Sequence, residues 1–176
     1  MGRLKAAAWS CILALGMGLS VHAQQFNEVN LALTGIANQS STLLDNNNPD
    51  AGNASLAIDG NTSGLFNVAT GSVTHSGGVA ADSDAGGPFW EVDLAGQKDI
   101  GRLHVFFRTD CCPNRNDDFT LVILDSNRQE VFRRTYAGRP PSDVAYNLAP
   151  AVNGRYVRFE PQNPLSTSDG IFSIPS

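Results

Sequence analysis

An all-β sandwich or jelly roll is the fold this sequence predicts, on three observations. Short apolar stretches, several with alternating polar positions, recur between turn-rich segments, which is the pattern of strands and not of helices. Seventeen glycines and nine prolines interrupt the 176 residues too often for long helices. The hydrophobic fraction is 41%, enough for one buried core, and the length suits a single domain.

The chain opens with a segment that does not belong to that fold. Arg3 and Lys5 give a positive start, Ala6 to Leu19 is apolar and uncharged, and Val21-His22-Ala23 ends on a small residue. This is the three-part build of a secretory signal peptide, expected to be cleaved after residue 23. The apolar run is short for a bilayer span, and Cys11 lies inside it, where no lipid attachment would occur. The expected domain is therefore 24–176, secreted or periplasmic, in a compartment where disulfides persist. Cleavage removes two bases and takes the formal charge from −5 to about −7. Acids outnumber bases and no basic block exists, so nucleic acid is not an expected partner, nor is membrane insertion.

The strands follow in order. A pair is expected within Asn30 to Leu44. Phe89 to Leu94 and Ile100 to Phe107 alternate as strands, the second with Leu103, Val105 and Phe107 on one face. Phe119 to Leu124 is apolar throughout and reads as an interior strand. Asp125-Ser126-Asn127-Arg128 is a turn, and Glu130 to Tyr136 returns as its hairpin partner. Val144 to Leu148, Arg155 to Glu160 and Ile171 to Ile174 complete the set. Polar loops at Asp45–Asn53, Ser76–Pro88 and Pro161–Gly170 are long, and long loops on a rigid sandwich commonly carry binding sites.

One of the loops carries chemistry: Arg108-Thr109-Asp110-Cys111-Cys112-Pro113-Asn114-Arg115, just after a strand. Cys111 and Cys112 are the two thiols left after cleavage. A bond between them is the expected state, with two free thiols and an intermolecular bridge as alternatives. Neighbouring Cα atoms lie only about 3.8 Å apart, so such a ring would be strained, stiff and apolar. Arg108 and Arg115 flank it, with Asp110 between. Two planar guanidinium forks beside an apolar plate can grip neighbouring hydroxyls while the plate takes the C–H face of a ring, which is sugar recognition. A surface salt-bridge network worth little is the alternative. His104 reads as a solvent-facing strand residue and Trp90 as core. No nucleophile elbow, zinc-binding helix motif or phosphate loop is present, so an enzyme is not expected.

These residues resemble the signature of the F-type lectins, the fucolectin group: a histidine, then Arg-x-Asp, four residues, and Arg or Lys. Arg108, Asp110 and Arg115 fit it, including the paired cysteines, and His75 looks like the upstream histidine. Ala54-Ser-Leu-Ala-Ile-Asp-Gly-Asn61 and Pro88-Phe-Trp-Glu-Val-Asp-Leu94 resemble two further family elements, and Asn30-Leu31-Ala32 with Gln39-Ser40-Ser41 its first strands. The likeness runs from about residue 29 to 160.

The resemblance implies a discoidin-like (galactose-binding-like) antiparallel β-sandwich jelly roll with a sugar site at one end. His75, Arg108 and Arg115 would donate hydrogen bonds to an α-L-fucose, and the Cys111–Cys112 disulfide would contact the ring edge. Phe66 is a candidate for the fucose methyl, and Asp110 a positioning residue. The resemblance also implies a structural Ca2+ held by Asp59, Asn61, Ser72 and the Leu56 carbonyl, an oxygen-only set that suits calcium. The family's closing Glu ligand has no counterpart in Ser168 to Ile174, where Asp169 is the substitute. Fucosylated glycans are the implied partners. A lone shallow site calls for avidity, so a homo-oligomer is expected. A discoidin-type adhesion module for a protein or matrix partner and a galactose-type carbohydrate-binding module are the other readings.

Overall fold

The computed structural model describes residues 29–43, 50–66, 73–77 and 87–162. The signal-peptide segment, the greater part of the 76–88 loop, the expected strand at 171–174, Ser72 and Asp169 lie outside the described residues. Five strands form one antiparallel sheet: β1 (Ile36–Gln39), β2 (Trp90–Phe106), β3 (Phe119–Leu124), β4 (Glu130–Tyr136) and β5 (Asp143–Pro161), in the order β1-β2-β5-β3-β4. Three single helical turns, Leu31–Thr34, Ala54–Ile58 and Pro113–Asn116, fill connections.

β3 and β4 match the sequence expectation residue for residue, and β3 is interior, with β5 and β4 on its two sides. The expected strands at 89–94 and 100–107 are instead one 17-residue strand, and those at 144–148 and 155–160 one of 19 residues. The glycine- and proline-bearing stretches between them are bulges. Pairing runs from Trp90–Phe159 to Asp93–Tyr156, shifts, resumes at Lys98–Gly154, shifts again after Ile100–Val152, and ends at Phe106–Asp143. Extra residues accommodated this way bend a ribbon without ending it. The pair expected within 30–44 is one helical turn and one short strand.

The bends let the β2–β5 ribbon fold over itself. Trp90, Val92 and Leu94 from one half of β2 join Leu103 and Val105 from the other half in a single cluster with Phe119, Leu121, Ile123, Val144 and Phe159. Each such side chain contributes about 1.5–3 kcal/mol by leaving water. Phe119 stacks on Phe159 at 5.0 Å and packs against Phe107 at 5.4 Å. Gly154 is needed where the ribbon crosses β3: a Cβ there would collide with Ile123. Trp90 is core, as expected, and its indole N–H donates to the Ala54 carbonyl at 2.9 Å, tying the Ala54–Ile58 turn to the sheet. His104 is exposed on β2 and paired with Asp143 at 2.8 Å, as a solvent-facing strand residue should be.

Candidate functional site

Past the end of β2, the chain leaves Phe107 in the core and turns into the Arg108–Arg115 loop. Cys111 and Cys112 are bonded to each other, with Cα atoms 3.7 Å apart and Cys112 in the left-handed region at φ 55°. The turn Pro113–Asn116 follows at once, and the Arg115 N–H donates to the Cys112 carbonyl at 3.1 Å. Proline at the first helical position, with its fixed φ, suits that turn.

Arg108 is held from the side. Its Nε donates to Asp110 Oδ1 at 2.5 Å, while Asp110 Oδ2 accepts the Phe66 N–H at 3.2 Å. The carboxylate therefore fixes a guanidinium and also a segment 44 residues away. Partial burial raises the Asp110 pKa, but the Arg108 hydrogen bond and charge more than offset it, with the Phe66 N–H adding to them, and the carboxyl stays below its ordinary value. The Arg108 guanidinium lies over the Phe66 ring, 4.6 Å from its centre.

His75 reaches the same place from a short segment, 73–77, that belongs to no strand. Thr74 makes an isolated bridge with Gly52, and the His75 N–H donates to the Gly52 carbonyl at 2.9 Å. Gln39, buried at the end of β1, clamps the two stretches together. Its Nε2 lies 2.9 Å from the Gly52 carbonyl and 3.4 Å from that of His75, and its Oε1 accepts from the Thr74 hydroxyl. Gly52 has φ +76°, and a Cβ on it would come within 2.9 Å of His75 Cβ, so glycine is required there.

The imidazole is 3% exposed. Nδ1 lies 2.8 Å from the Ser76 carbonyl, which only accepts, so Nδ1 carries the hydrogen. Nε2 lies 3.4 Å from Arg115 Nη1. The Phe66 ring packs against the imidazole at 5.4 Å. Arg115, His75, Phe66 and Arg108 thus form one continuous row. The buried Ser76 hydroxyl has no hydrogen-bond partner among the described residues.

An open cleft of about 490 Å³ adjoins the loop, lined by Arg108, the disulfide and Pro140–Ser142 among others; His75, Phe66 and Arg115 are not among its walls. Of the implied metal ligands, Asp59 and Asn61 follow the Ala54–Ile58 turn, exposed. Asp59 Oδ1 accepts the Asn61 N–H at 2.7 Å and Asn61 Oδ1 the Ser63 N–H at 3.0 Å. Sequence reasoning did not find Gln39, Thr74 or Gly52 as the support of His75. Nothing local marks them, because each acts across a distance in sequence.

Residues 56–159 match the family described as NedA-like, galactose-binding domain, and the chain belongs to that family. Among solved structures it is similar to a fucose-binding module, SpX-3, from Streptococcus pneumoniae, with 31% identity and TM-score 0.67 over 84% of this chain and 93% of that one. It is similar to the lectin domain of lectinolysin complexed with Lewis b antigen, with 27% identity and TM-score 0.65 over 83% and 92%. It also resembles an F-lectin (fucolectin) from the serum of Morone saxatilis, striped bass, with 26% identity and TM-score 0.64 over 85% of this chain and 47% of that one. No curated protein matches. Fold and relatives together define a discoidin-like β-sandwich of the F-type lectin group, a carbohydrate-binding and not a catalytic domain.

Proposed function

We propose that this is a secreted or periplasmic lectin domain that recognises α-L-fucose-containing glycans through His75, Arg108 and Arg115, beside the Cys111–Cys112 disulfide. The observation that carries the reading is the row itself: the imidazole, both guanidiniums and an aromatic face meet at one place although they come from three separate stretches of chain. Structural relatives described as fucose-binding modules and as a fucolectin support the choice of sugar.

The chemistry follows from the polarity of the groups. His75, Arg108 and Arg115 offer N–H donors to the hydroxyls and ring oxygen of the sugar. Phe66 offers an apolar surface to the methyl group. A single site of this size binds weakly, with Kd on the order of a millimolar, about −4 kcal/mol. Useful avidity then comes from self-association or partner domains. The N-terminal segment supports export, and the striped-bass relative comes from serum.

A glycan array tests the reading. Fucosylated glycans should be retained by the wild type and lost by His75→Ala and Arg108→Ala. Galactosides bound without fucosides would favour the galactose-type alternative, to which the family description points; a blank array would favour an adhesion module for a protein partner. We assign a structural Ca2+ to Asp59, Asn61, Ser72, the Leu56 carbonyl and Asp169. The donor chemistry fits: the two described side chains present carboxylate and amide oxygens two residues apart, on a turn that their own side chains cap. A chelator should lower the melting temperature, and no change would remove the metal from the account.

A further inference from the structure

We propose that Gly64 is a positioning residue that sets the preference of the site for a 6-deoxy sugar, by fixing where the Phe66 ring stands. This rests on the reading above and extends it to a residue that acts only through another. Residues 61–66 belong to no strand or helical turn. What docks them is the chain just past β2. The Thr109 N–H donates to the Gly64 carbonyl at 2.7 Å, and the Phe66 N–H to Asp110 Oδ2 at 3.2 Å. Upstream, Asn61 Oδ1 accepts the Ser63 N–H at 3.0 Å. Held in this way, the Phe66 ring reaches both the Arg108 guanidinium and the His75 imidazole.

Space, and not backbone freedom, calls for glycine at this position. Gly64 is not among the left-handed glycines. A Cβ on it would come within 2.6 Å of the Phe107 carbonyl oxygen, 2.7 Å of Thr109 Cγ2 and 2.8 Å of Thr109 Oγ1, so something would have to move. The Phe107 side resists. Its ring is buried against Phe119, and its N–H donates to the Ser142 carbonyl at 2.9 Å. Residues 61–66 have no strand partners to hold them, so they are what shifts. Phe66 follows two residues later and leaves its place between Arg108 and His75. An apolar face in that place favours a ring carbon bearing a methyl over one bearing a hydroxymethyl, because the added hydroxyl would face the ring without a hydrogen-bond partner. L-Fucose and L-galactose differ in that group alone.

The test is calorimetric titration with methyl α-L-fucoside and methyl α-L-galactoside. The wild type should prefer the fucoside about tenfold. Gly64→Ala should bring that preference to within about twofold, as Phe66→Ala does. Added to Phe66→Ala, it should weaken fucoside binding by no more than about twofold further. That non-additivity separates a positional role from a general loss of stability, which would lower affinity in both backgrounds alike. A cooperative melt verifies the fold of each variant. If Gly64→Ala does not fold, Thr109→Ala decides. It withdraws the side-chain atoms beside Gly64, and the preference should fall to about fivefold or less. A preference above these limits, additive losses in the double variant, or a wild type that binds the fucoside no better than the galactoside overturns the role of Gly64 with the fucose reading intact. Failure of the fucoside to bind the wild type overturns both.

Discussion

Two groups of arginines in this molecule show how one side chain serves two ends. On the sheet, the forks are occupied by carboxylates of neighbouring strands. Arg155 Nε and Nη2 each donate to a different oxygen of Asp93 at 2.8 Å, and Arg128 and Arg158 converge on the buried carboxylate of Glu91. Arg128 and Arg155 also lie over Tyr156, and Arg158 over Phe89. At the rim, Asp110 holds Arg108 through its Nε, the guanidinium spreads over an aromatic ring, and Arg115 Nη1 lies 3.4 Å from the His75 imidazole. The sheet arginines cover and tie a surface. The rim arginines are aimed at groups that a ligand can share.

The sharpest way to break this comparison is to truncate one arginine from each region. Arg115→Ala should weaken fucoside binding by about a hundredfold, roughly 2.7 kcal/mol, through lost charge-assisted hydrogen bonds. Arg155→Ala should leave binding within about twofold and cost under about 1 kcal/mol of stability, because its pair is partly exposed. Equal effects on binding, read by NMR titration, would erase the distinction. Next in size is Glu91→Ala. Its carboxylate is nearly buried between two arginines, but Arg128 and Arg158 both reach water and can rehydrate. Denaturant unfolding should therefore show a loss of about 1–3 kcal/mol, below that of a fully buried pair, with sugar affinity kept.

Gln39→Ala sharpens the comparison from within the fold. Releasing the clamp should weaken fucoside affinity about tenfold as His75 loses its place, alongside a lower melting temperature. Thr120→Val, at a buried hydroxyl of β3 that faces Thr135 at 3.1 Å, is the control. If it lowers affinity in proportion to its own melting shift, Gln39 acts through general stability alone. The smallest effect expected is that of mild acid. The Asp93 carboxyl is held low chiefly by its Arg155 hydrogen bond; for Asp110, burial pushes the pKa up but the Arg108 bond and charge outweigh it. A depressed carboxyl pKa adds stability above the unfolded value of about 3.8 and loses it as pH falls through the lower folded value. As far as these two groups decide, the melting temperature should hold from pH 7 to about 5 and drop in both regions below about pH 4. An earlier fall traced to either carboxylate would contradict the pairing drawn here.

Strand content was legible because alternation and apolar runs report directly on which faces are buried, as at Phe119–Leu124 and Glu130–Tyr136. Strand continuity was not. The stretches holding Gly96 and Pro150 fell between separately expected strands, and only pairing on both flanks makes them irregularities in one ribbon. The same division holds at the rim. Arg108, Asp110 and the paired cysteines were legible because they lie within one loop, whereas Phe66 meets Asp110 across 44 residues and Gln39 meets His75 across 36.

By itself the sequence determined the donors and the stiff ring: two guanidiniums, a carboxylate and adjacent cysteines, whose chemistry is fixed by side-chain type and whose spacing is fixed by the chain. Tertiary structure decided that the histidine is buried beside Arg115, that an aromatic ring lies between it and Arg108, and that a glutamine on the first strand holds it there. Hydrogen-bond polarity and burial are properties of partners, and these partners are brought together only when the folded ribbon closes over its core.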